Sequence, residues 1–435
     1  MTNETHDNRL RSWVDSANAP SSDFPIQNLP FGVFRRTGSH DEPRIGVAIG
    51  EEIVDLVRCR ERGLFSGLPE LLHEACGQPI LNPLMALGPL TSVLRRRLVE
   101  VLRADAQPDP TFLVAMRDAD LLMPIDARGY TDFYASIFHA TNVGRLFRPD
   151  NPLLPNYKYV PIAYHGRTSS LVVSNTPVRR PWGQTKGPND AAPSFGPSQR
   201  LDYETEVAAI VGQGNALGEP IGIDDAERHV FGLCLLNDWS ARDVQAWEYQ
   251  PLGPFLGKNF ATTVSPWIVT LEALAPFRCT GFTRPDSDPQ PLPYLTSRTG
   301  GAGAGFDIAI EVYLRSERMR VEHLPAQRLS RGSFADMYWS VAQMVTHHTS
   351  GGCNLLTGDV IASGTVSGAS DDSRGSLLEI TGGSQPIVLP SGEQRVFLAD
   401  GDEITFHAFC ERPRYARIGF GSCTGIVAPA HQRSG

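Results

Sequence analysis

The sequence predicts a mainly β protein with a few helices, divided into a small N-terminal domain and a large C-terminal domain. Its 435 residues exceed the length at which a single hydrophobic core stops growing. Glycine (41 residues) and proline (34 residues) are both abundant, which indicates many turns rather than long helices. Strand-like segments, glycines and long loops dominate after Pro124. We therefore expect an N-terminal tail over residues 1–23, a small domain over 24–124 and a large domain over 125–435.

The small domain is expected to combine short strands with helices. Strands are predicted over residues 31–34 and 44–49, between charged turns. A helix is predicted from about residue 90 to 103, with Thr91 or Ser92 as its N-cap, because its apolar residues fall on one face. A second short helix is predicted over residues 69–75. The tail before Phe24 is polar and is expected to be disordered or loosely attached.

The large domain is expected to be dominated by strands, with helices marked by capping boxes. Ser333 and Asp336 have capping-box spacing and predict a helix that runs to residues 347–348, before glycines stop it. Ser240 and Asp243 have the same spacing and predict a shorter helix. The loop over 181–197 is rich in proline and glycine, which is typical of a functional loop or a packing arm. A patch rich in glycine and alanine follows at 299–305.

The charge and the cysteines exclude several classes of protein. The formal net charge of −9 argues against nucleic acid as the main partner. The basic run at residues 95–97 lies within the predicted helix and is expected to form a solvated face. Seven scattered cysteines without a C-x-x-C pair predict reduced thiols. The absence of a signal-peptide pattern and of a long apolar run predicts a soluble, cytoplasmic protein without a membrane partner.

Two glutamates precede a buried strand and point to a cation site. Period-two alternation places Glu204 and Glu206 on the same side of the segment 202–211, whose tail is strand-like and apolar. Like charges on one face that runs into a core need a counter-charge, which a hard cation supplies. The alternative is an exposed strand face with solvated glutamates.

Two aspartates could join this site. Asp238 ends an apolar strand abruptly, and strand ends commonly carry functional residues. Its alternative role is to cap the short helix that follows. Asp132 points to the same side as Tyr134 if the chain is extended there. Four carboxylates without a cysteine or histidine cluster favour Mg²⁺ or Ca²⁺ over zinc or copper.

Further polar residues near these segments could stabilise an oxyanion and activate water. Arg242, Gln245 and Tyr249 share a helix face at i, i+3 and i+7. His139 lies among apolar residues, where a satisfied core histidine is the alternative to a base. Lys258 lies between glycine and aromatic residues, where a solvated lysine is the alternative.

In combination, these segments resemble the fumarylacetoacetase family, which catalyses the last step of tyrosine breakdown. The resemblance runs in order over roughly residues 24–428 and includes several long motifs. These motifs are DFY (132–134), HATNVG (139–144), YHGR (164–167), DYETE (202–206), NDWSARDVQ (237–245), WEYQPLGPFLGK (247–258), THH (346–348) and GTVSG (364–368). Ile137 and Phe138, just before His139, depart from the family pattern, in which these positions are more polar.

The resemblance implies a role for each matching residue. The family's cation ligands fall on Asp132, Glu204, Glu206 and Asp238, with Lys258 and Thr262 near a second metal or its surroundings. The general base falls on His139 and its orienting carboxylate on Glu379. Arg242, Gln245 and Lys258 match the groups that face the developing oxyanion. Substrate contacts fall on Tyr134, Arg148, Tyr164, Gln245, Tyr249 and Thr365.

The resemblance also implies a fold and an activity. The fold is a small open β-barrel domain followed by a large mixed β-roll domain, usually as a homodimer. The activity is Mg²⁺- or Ca²⁺-dependent hydrolysis of the carbon–carbon bond of 4-fumarylacetoacetate, a small diketo acid, to fumarate and acetoacetate. Acylpyruvate hydrolases and oxaloacetate decarboxylases of the same superfamily are rivals, although they are generally shorter. A non-catalytic, cation-stabilised homologue is a third possibility.

Overall fold

Strands outnumber helices in the computed structural model, in agreement with the mainly β prediction. The structure describes residues 2–298 and 301–432. Thr299 and Gly300, which begin the predicted Gly/Ala-rich patch, lie outside the described residues. No helix in the described part of the chain is long and apolar enough to cross a membrane.

The strands are numbered in chain order. Their bounds are β1 Phe31–Arg36, β2 Arg44–Ile49, β3 Glu52–Asp55, β4 Leu113–Ala115, β5 Ala119–Leu122, β6 Tyr130–Phe133, β7 Ala163–His165, β8 Leu171–Val173, β9 Val178–Arg179, β10 Trp182–Thr185, β11 Ser194–Pro197, β12 Leu201–Asp202, β13 Thr205–Val211, β14 Val230–Asp238, β15 Ser240–Ala241, β16 Thr262–Val264, β17 Val269–Thr270, β18 Arg278–Cys279, β19 Gly305–Phe306, β20 Ala309–Arg315, β21 Gln327–Ser333, β22 Val360–Ala362, β23 Ile387–Val388, β24 Gln394–Arg395, β25 Glu403–Cys410 and β26 Ile418–Ala428.

The α-helices are numbered in the same way. Their bounds are α1 Leu56–Glu61, α2 Glu70–Ala75, α3 Asn82–Met85, α4 Thr91–Leu102, α5 Ile137–Phe147, α6 Arg242–Glu248, α7 Glu317–Val321, α8 Val341–Thr349 and α9 Leu377–Thr381.

Three main sheets organise the molecule. A five-stranded antiparallel sheet of order β4-β3-β2-β1-β5 lies in the N-terminal part. The C-terminal part contains an eight-stranded sheet of order β7-β6-β22-β13-β14-β16-β8, in which β17 also pairs with β14. A second five-stranded sheet has the order β21-β20-β25-β26-β9.

The central strands β13 and β14 are buried on both faces, and each face packs on a different core. Ala208 and Leu236 belong to the core that includes the N-terminal strands and helices. Their neighbours Val207 and Leu235 belong to the core formed with the second five-stranded sheet. Because side chains alternate along a strand, Glu206 lies on the same face as Ala208. The eight-stranded sheet thus joins the two parts of the molecule and carries the predicted acidic residues.

The predicted helices are present, but three helix starts are wrong. Helix α4 has Leu90 at its N-cap, because a 3₁₀ turn over Gly88–Leu90 leads directly into it. Ser333 caps only a 3₁₀ turn, whereas α8 begins after Ser340, which forms the capping box with Gln343. Ser240 does not cap α6, since its hydroxyl donates to the carbonyl of Asp238.

The expectation of a loosely attached tail is wrong for the described N-terminal residues. The indole of Trp13 donates to the carbonyl of Val101 at 2.8 Å, and Val14 and Ala17 are buried. His6 Nε2 lies 2.8 Å from the carbonyl of Glu272. A few apolar residues that pack on α4 therefore order a segment whose composition is mostly polar.

The basic run is only partly solvated. Arg96 is exposed, as predicted, but Arg95 is buried and donates to the carbonyls of Gln27 and Asn28 and to the hydroxyl of Thr5. The solvated-face prediction is therefore wrong for Arg95, because the N-terminal segment covers that side of α4. All seven cysteines are free thiols, as predicted.

Candidate active site and metal centre

Four carboxylates meet at one end of the eight-stranded sheet. Asp132 lies in β6, Glu206 in β13, and Asp238 is the last residue of β14, while Glu204 comes just before β13. One oxygen atom from each lies within 4.8 Å of the others. All four side chains are buried, so the solvated-glutamate alternative does not hold. The cluster has the donor chemistry to bind a divalent cation.

The strand register explains why these side chains converge. In β6, Asp132 pairs with Ala362 of β22, which also pairs with Ala208 of β13. Asp238 pairs with Thr262 of β16, and the hydroxyl of Thr262 lies 3.4 Å from an oxygen of Asp238. The acidic residues thus occupy the ends of neighbouring strands, as strand-end placement in the sequence indicated.

Two cations of the chain itself offset part of this negative charge. Lys258 is 6% exposed, and its ammonium group donates to both Glu204 and Asp238. Arg242 Nη1 donates to Glu204 Oε1 at 2.7 Å. Burial opposes ionisation, but Lys258 and Arg242 together hold the pKa of Glu204 below its ordinary value. Lys258 is therefore part of the site and not a solvated lysine.

Two carboxylate oxygens of the cluster have no hydrogen-bond partner among the described residues. Asp132 Oδ1 and Glu206 Oε1 are buried and accept no hydrogen bond there. Burial and the neighbouring carboxylates raise the pKa of both Asp132 and Glu206 well above its ordinary value. A hard divalent cation would accept these lone pairs and supply the missing positive charge. The residues present therefore fit Mg²⁺ or Ca²⁺.

His139 and Glu379 form a buried pair beside the carboxylate cluster. His139 lies in the first turn of α5, where Ser136 caps the helix by accepting from its backbone N–H. His139 Nδ1 lies 2.7 Å from Glu379 Oε2, and Nε2 lies 3.9 Å from Glu204 Oε1. His139 also lines the site cavity, which the core-histidine alternative does not predict.

The Glu379 carboxylate is fixed by donors that sequence reasoning did not identify. Asn142 donates to one oxygen at 3.0 Å, while Ser367 and Ser376 donate to the other at 3.0 and 2.9 Å. Burial opposes ionisation, yet His139, Asn142 and Ser376 lower the pKa of Glu379. Among these donors, Asn142 follows His139 at i+3 on the same helix face, and this spacing was the available signal.

A cavity of about 370 Å³ opens next to these groups. Arg242, Gln245 and Tyr249, for which a shared helix face was predicted, all line it. Its other predicted lining residues are Asp132, Tyr134, His139, Arg148, Tyr164, Glu204, Lys258 and Thr365. Four other predicted site residues do not line the cavity: Glu206, Asp238, Thr262 and Glu379.

The cavity presents both polar and apolar groups. Arg148 Nε and Thr365 Oγ1 are buried and have no hydrogen-bond partner among the described residues. The hydroxyl of Tyr164 donates to Asp238 at 2.8 Å, and the ring of Tyr134 packs edge-on against His139. Val143, Phe147, Leu153, Leu154 and Leu252 supply apolar wall. Such a cavity suits a small organic acid with a carbon skeleton between its polar ends.

Asp202 is another buried carboxylate that sequence reasoning missed. Its Oδ2 accepts from Arg242 Nε at 2.9 Å. The same side chain accepts from the backbone N–H groups of Leu377 and Leu378, at 2.8 and 3.1 Å. Asp202 thus connects the start of α6 with the first turn of α9.

Two family models match the chain in tandem. Residues 27–124 match the fumarylacetoacetase N-terminal model, and residues 129–428 match the fumarylacetoacetate (FAA) hydrolase C-terminal model. The two models together cover most of the chain.

Full-length relatives show the same similarity. The fumarylacetoacetase of Oryza sativa subsp. japonica is 47% identical over 436 residues, which cover 97% of this chain and 98% of that protein. The fumarylacetoacetase of Homo sapiens is 46% identical over 423 residues, which cover 95% of this chain and 98% of that protein.

A solved structure shares the fold. The fumarylacetoacetate hydrolase from psychrophilic Exiguobacterium antarcticum superposes with a TM-score of 0.51 at 19% identity and covers 93% of this chain and 100% of that chain. From the two family models and the full-length relatives, we conclude that this chain belongs to the fumarylacetoacetate hydrolase family.

Proposed function

We propose that this protein hydrolyses a carbon–carbon bond of 4-fumarylacetoacetate to fumarate and acetoacetate, the last step of tyrosine and phenylalanine degradation. The observation that carries the proposal is that the four-carboxylate cluster and the His139–Glu379 pair meet at one cavity. The full-length similarity to fumarylacetoacetases supports the same substrate.

The reaction requires a carbanion to leave. Water adds its oxygen to the carbonyl carbon on the fumaroyl side, and the bond from that carbon to the next methylene carbon breaks. The electron pair passes to the acetoacetate fragment as an enolate, which then takes up a proton. Asp132, Glu204, Glu206 and Asp238 would hold Mg²⁺ or Ca²⁺, with Lys258 and Thr262 at the edge of the ion's surroundings. When bound, a divalent cation supplies Lewis acidity that stabilises the enolate.

His139 is assigned as the general base. Its Nδ1 is occupied by Glu379, so Nε2 is the nitrogen that can take a proton from water. The Glu379 carboxylate fixes the tautomer and the ring orientation, and it stabilises the imidazolium that forms. The network around Glu379 keeps that carboxylate ionised and in place.

Arg242, Gln245 and Lys258 are assigned to the developing oxyanion. Two of the three Lys258 N–H groups are committed to Glu204 and Asp238, which leaves one for the substrate. Gln245 Oε1 lies 3.3 Å from Arg242 Nη1, so its amide N–H₂ is the end available to an oxygen atom. Fixed donors of this kind stabilise a charge that develops only during the reaction.

The remaining lining residues are assigned to substrate binding. Arg148 has a buried Nε without a partner in the described residues, which suits a terminal carboxylate. The hydroxyl of Thr365 offers a second unsatisfied group. Tyr134, Tyr164 and Tyr249, together with Gln245, complete the polar lining.

We also propose the finer organisation that the family resemblance implies. Residues 24–124 would form a small open β-barrel domain and residues 125–435 a mixed β-roll domain, in a cytoplasmic homodimer. The proposed partner is a small diketo acid, with neither nucleic acid nor a membrane.

The test is an assay of the purified chain with Mg²⁺ or Ca²⁺ and fumarylacetoacetate. We expect loss of the substrate absorbance and equimolar fumarate and acetoacetate. Acylpyruvates of several chain lengths and oxaloacetate are run in parallel, and a higher kcat/KM for any of them would replace the proposed substrate. Cation-dependent thermal stability without turnover on any of these compounds would instead favour a non-catalytic homologue.

A further inference from the structure

We infer that Asp202 is a positioning residue. It holds the Arg242 guanidinium in a fixed position relative to helix α9, which carries Glu379. The inference rests on the proposed function, because it takes Arg242 and Glu379 as the groups that act on the oxyanion and on His139. It adds a residue that is not among those lining the cavity.

The first arm of this arrangement reaches Arg242. Asp202 is 0% exposed, and its Oδ2 lies 2.9 Å from both Nε and Nη2 of Arg242. The opposite side of the guanidinium donates from Nη1 to Glu204. Arg242 is therefore held between two carboxylates. Without Asp202, the attraction from Glu204 and the rest of the acidic cluster would be unopposed and would turn the guanidinium toward that cluster.

The second arm reaches α9. Asp202 Oδ1 accepts from the backbone N–H of Leu377, and Oδ2 accepts from that of Leu378. The same short helix carries Glu379, which lies one residue further and contacts His139 Nδ1. A shift of this helix would move the carboxylate that orients the base. Small displacements of catalytic groups have large effects on rate.

The geometry separates this role from plain stabilisation of the fold. Asp402 offers a matched control because it is also 0% exposed, accepts from Arg395 Nε at 2.8 Å and from Nη2 at 2.9 Å, and accepts from the backbone N–H of Ala399. Neither Asp402 nor Arg395 lines the cavity. Both aspartates are therefore buried arginine partners, and only Asp202 adjoins the site.

The test compares Asp202→Asn with Asp402→Asn in the full chain, with fumarylacetoacetate as substrate and saturating Ca²⁺ or Mg²⁺. The asparagine retains a carbonyl oxygen for the N–H of Leu377 but places an N–H₂ where Oδ2 faces Arg242 and the N–H of Leu378, so this change removes the charged contact to Arg242 and one of the two hydrogen bonds to α9. We expect kcat of Asp202→Asn to fall about 30-fold with KM changed less than about 3-fold, below the ~10²-fold typical of losing an oxyanion donor outright. Asp402→Asn is expected to keep its kcat.

A double-mutant cycle tests whether Asp202 acts through Arg242. In an Arg242→Gln background, Asp202→Asn is expected to change kcat by less than about 3-fold, because its target is already gone. This double variant removes both charges of the Asp202–Arg242 pair, so neither is left buried without the other, and it provides the test if Asp202→Asn alone fails to fold.

Several outcomes would overturn the inference. These are a folded Asp202→Asn protein with unchanged kcat, equal loss of kcat in Asp402→Asn, and a further 30-fold loss in the Arg242→Gln background. Each of them leaves the proposed function standing if the parent protein is active. A parent protein without turnover would instead overturn the proposed function and this inference together.

Discussion

His139 Nδ1 and Glu379 Oε2 lie 2.7 Å apart in the folded protein, although 240 positions separate the two residues along the chain. The pair is buried, and its carboxylate accepts from three further side chains. This arrangement leaves one ring nitrogen for proton transfer, and the first prediction follows from it.

Removing either member of this pair is expected to abolish most turnover. His139→Ala should lower kcat by about 10²–10⁴-fold, the range for losing a general base, and Glu379→Gln by a comparable factor through the wrong tautomer. Steady-state kinetics measure both effects. His347→Gln serves as the control, since that half-buried histidine bonds to Tyr294 and does not line the cavity. Full activity in His139→Ala would rule out the proposed water activation.

Chelation is expected to remove both activity and some stability. Without a divalent cation the unsatisfied oxygens of Asp132 and Glu206 stay buried and unpaired. A ligand at 100 times its Kd contributes about 2.7 kcal/mol to the native state, so thermal unfolding should occur several degrees lower in EDTA. The metal content of the stripped protein is measured alongside its turnover. Unchanged turnover in a sample proven free of metal would contradict the proposed cation role.

Arg148 is expected to govern substrate affinity more than the chemical step. Arg148→Ala should raise KM by about 10- to 100-fold with a smaller change in kcat, because a guanidinium–carboxylate pair contributes roughly 1.5–3 kcal/mol. Arg145→Ala is the matched control, since Arg145 lies in the last turn of α5, which Arg148 caps, but is exposed and does not line the cavity. A lower kcat at unchanged KM would instead place Arg148 among the groups that act in the transition state.

The packing of N-terminal residues 4–18 against the rest of the protein is expected to become less stable in mild acid. Burial lowers the pKa of His6 below its ordinary value of 6.5. Its neutral ring accepts from the backbone N–H of Asn3 at Nδ1 and pairs through Nε2 with the carbonyl of Glu272. The unfolded segment binds a proton more readily than the docked one, so stability falls as the pH drops below 6.5.

Hydrogen exchange of residues 4–18 measures this loosening. Protection should decrease between pH 7.5 and 5.5, after correction for the intrinsic exchange rate. His6→Gln should lose this pH dependence, while His40→Gln, a change at an exposed histidine, should keep it. A flat profile in the parent protein would show that protonation of His6 does not oppose docking.

Local patterns predicted the acidic cluster but not its supports. Asp238 at a strand end and Glu204 and Glu206 at period-two spacing were visible in the sequence. Asp202 follows the same alternation, yet the strand breaks between Asp202 and Thr205, so its carboxylate turns to Arg242. Glu379 carried no local signal of its role, since that role depends on a contact over 240 positions and was reached only through the family resemblance.

The errors in the fold have a similar origin. Ser333 and Ser340 are each followed three residues later by a polar side chain at capping-box spacing, Asp336 and Gln343, so local spacing does not distinguish them. The structure selects Ser340 because Ser333 already belongs to β21. Likewise, the polar N-terminal segment is ordered by contacts with α4 that its own composition does not reveal.

The two faces of β13 tie the catalytic centre to the N-terminal part of the molecule. Glu206 shares its face of the strand with Ala208 and Ile210, which pack into the N-terminal core. The N-terminal core residues thus cover one face of the strand that carries Glu206. A chain trimmed to residues 125–435 would present this apolar face to water beside the acidic cluster. Substitutions in the N-terminal core are therefore expected to affect catalysis through the strand that both parts share.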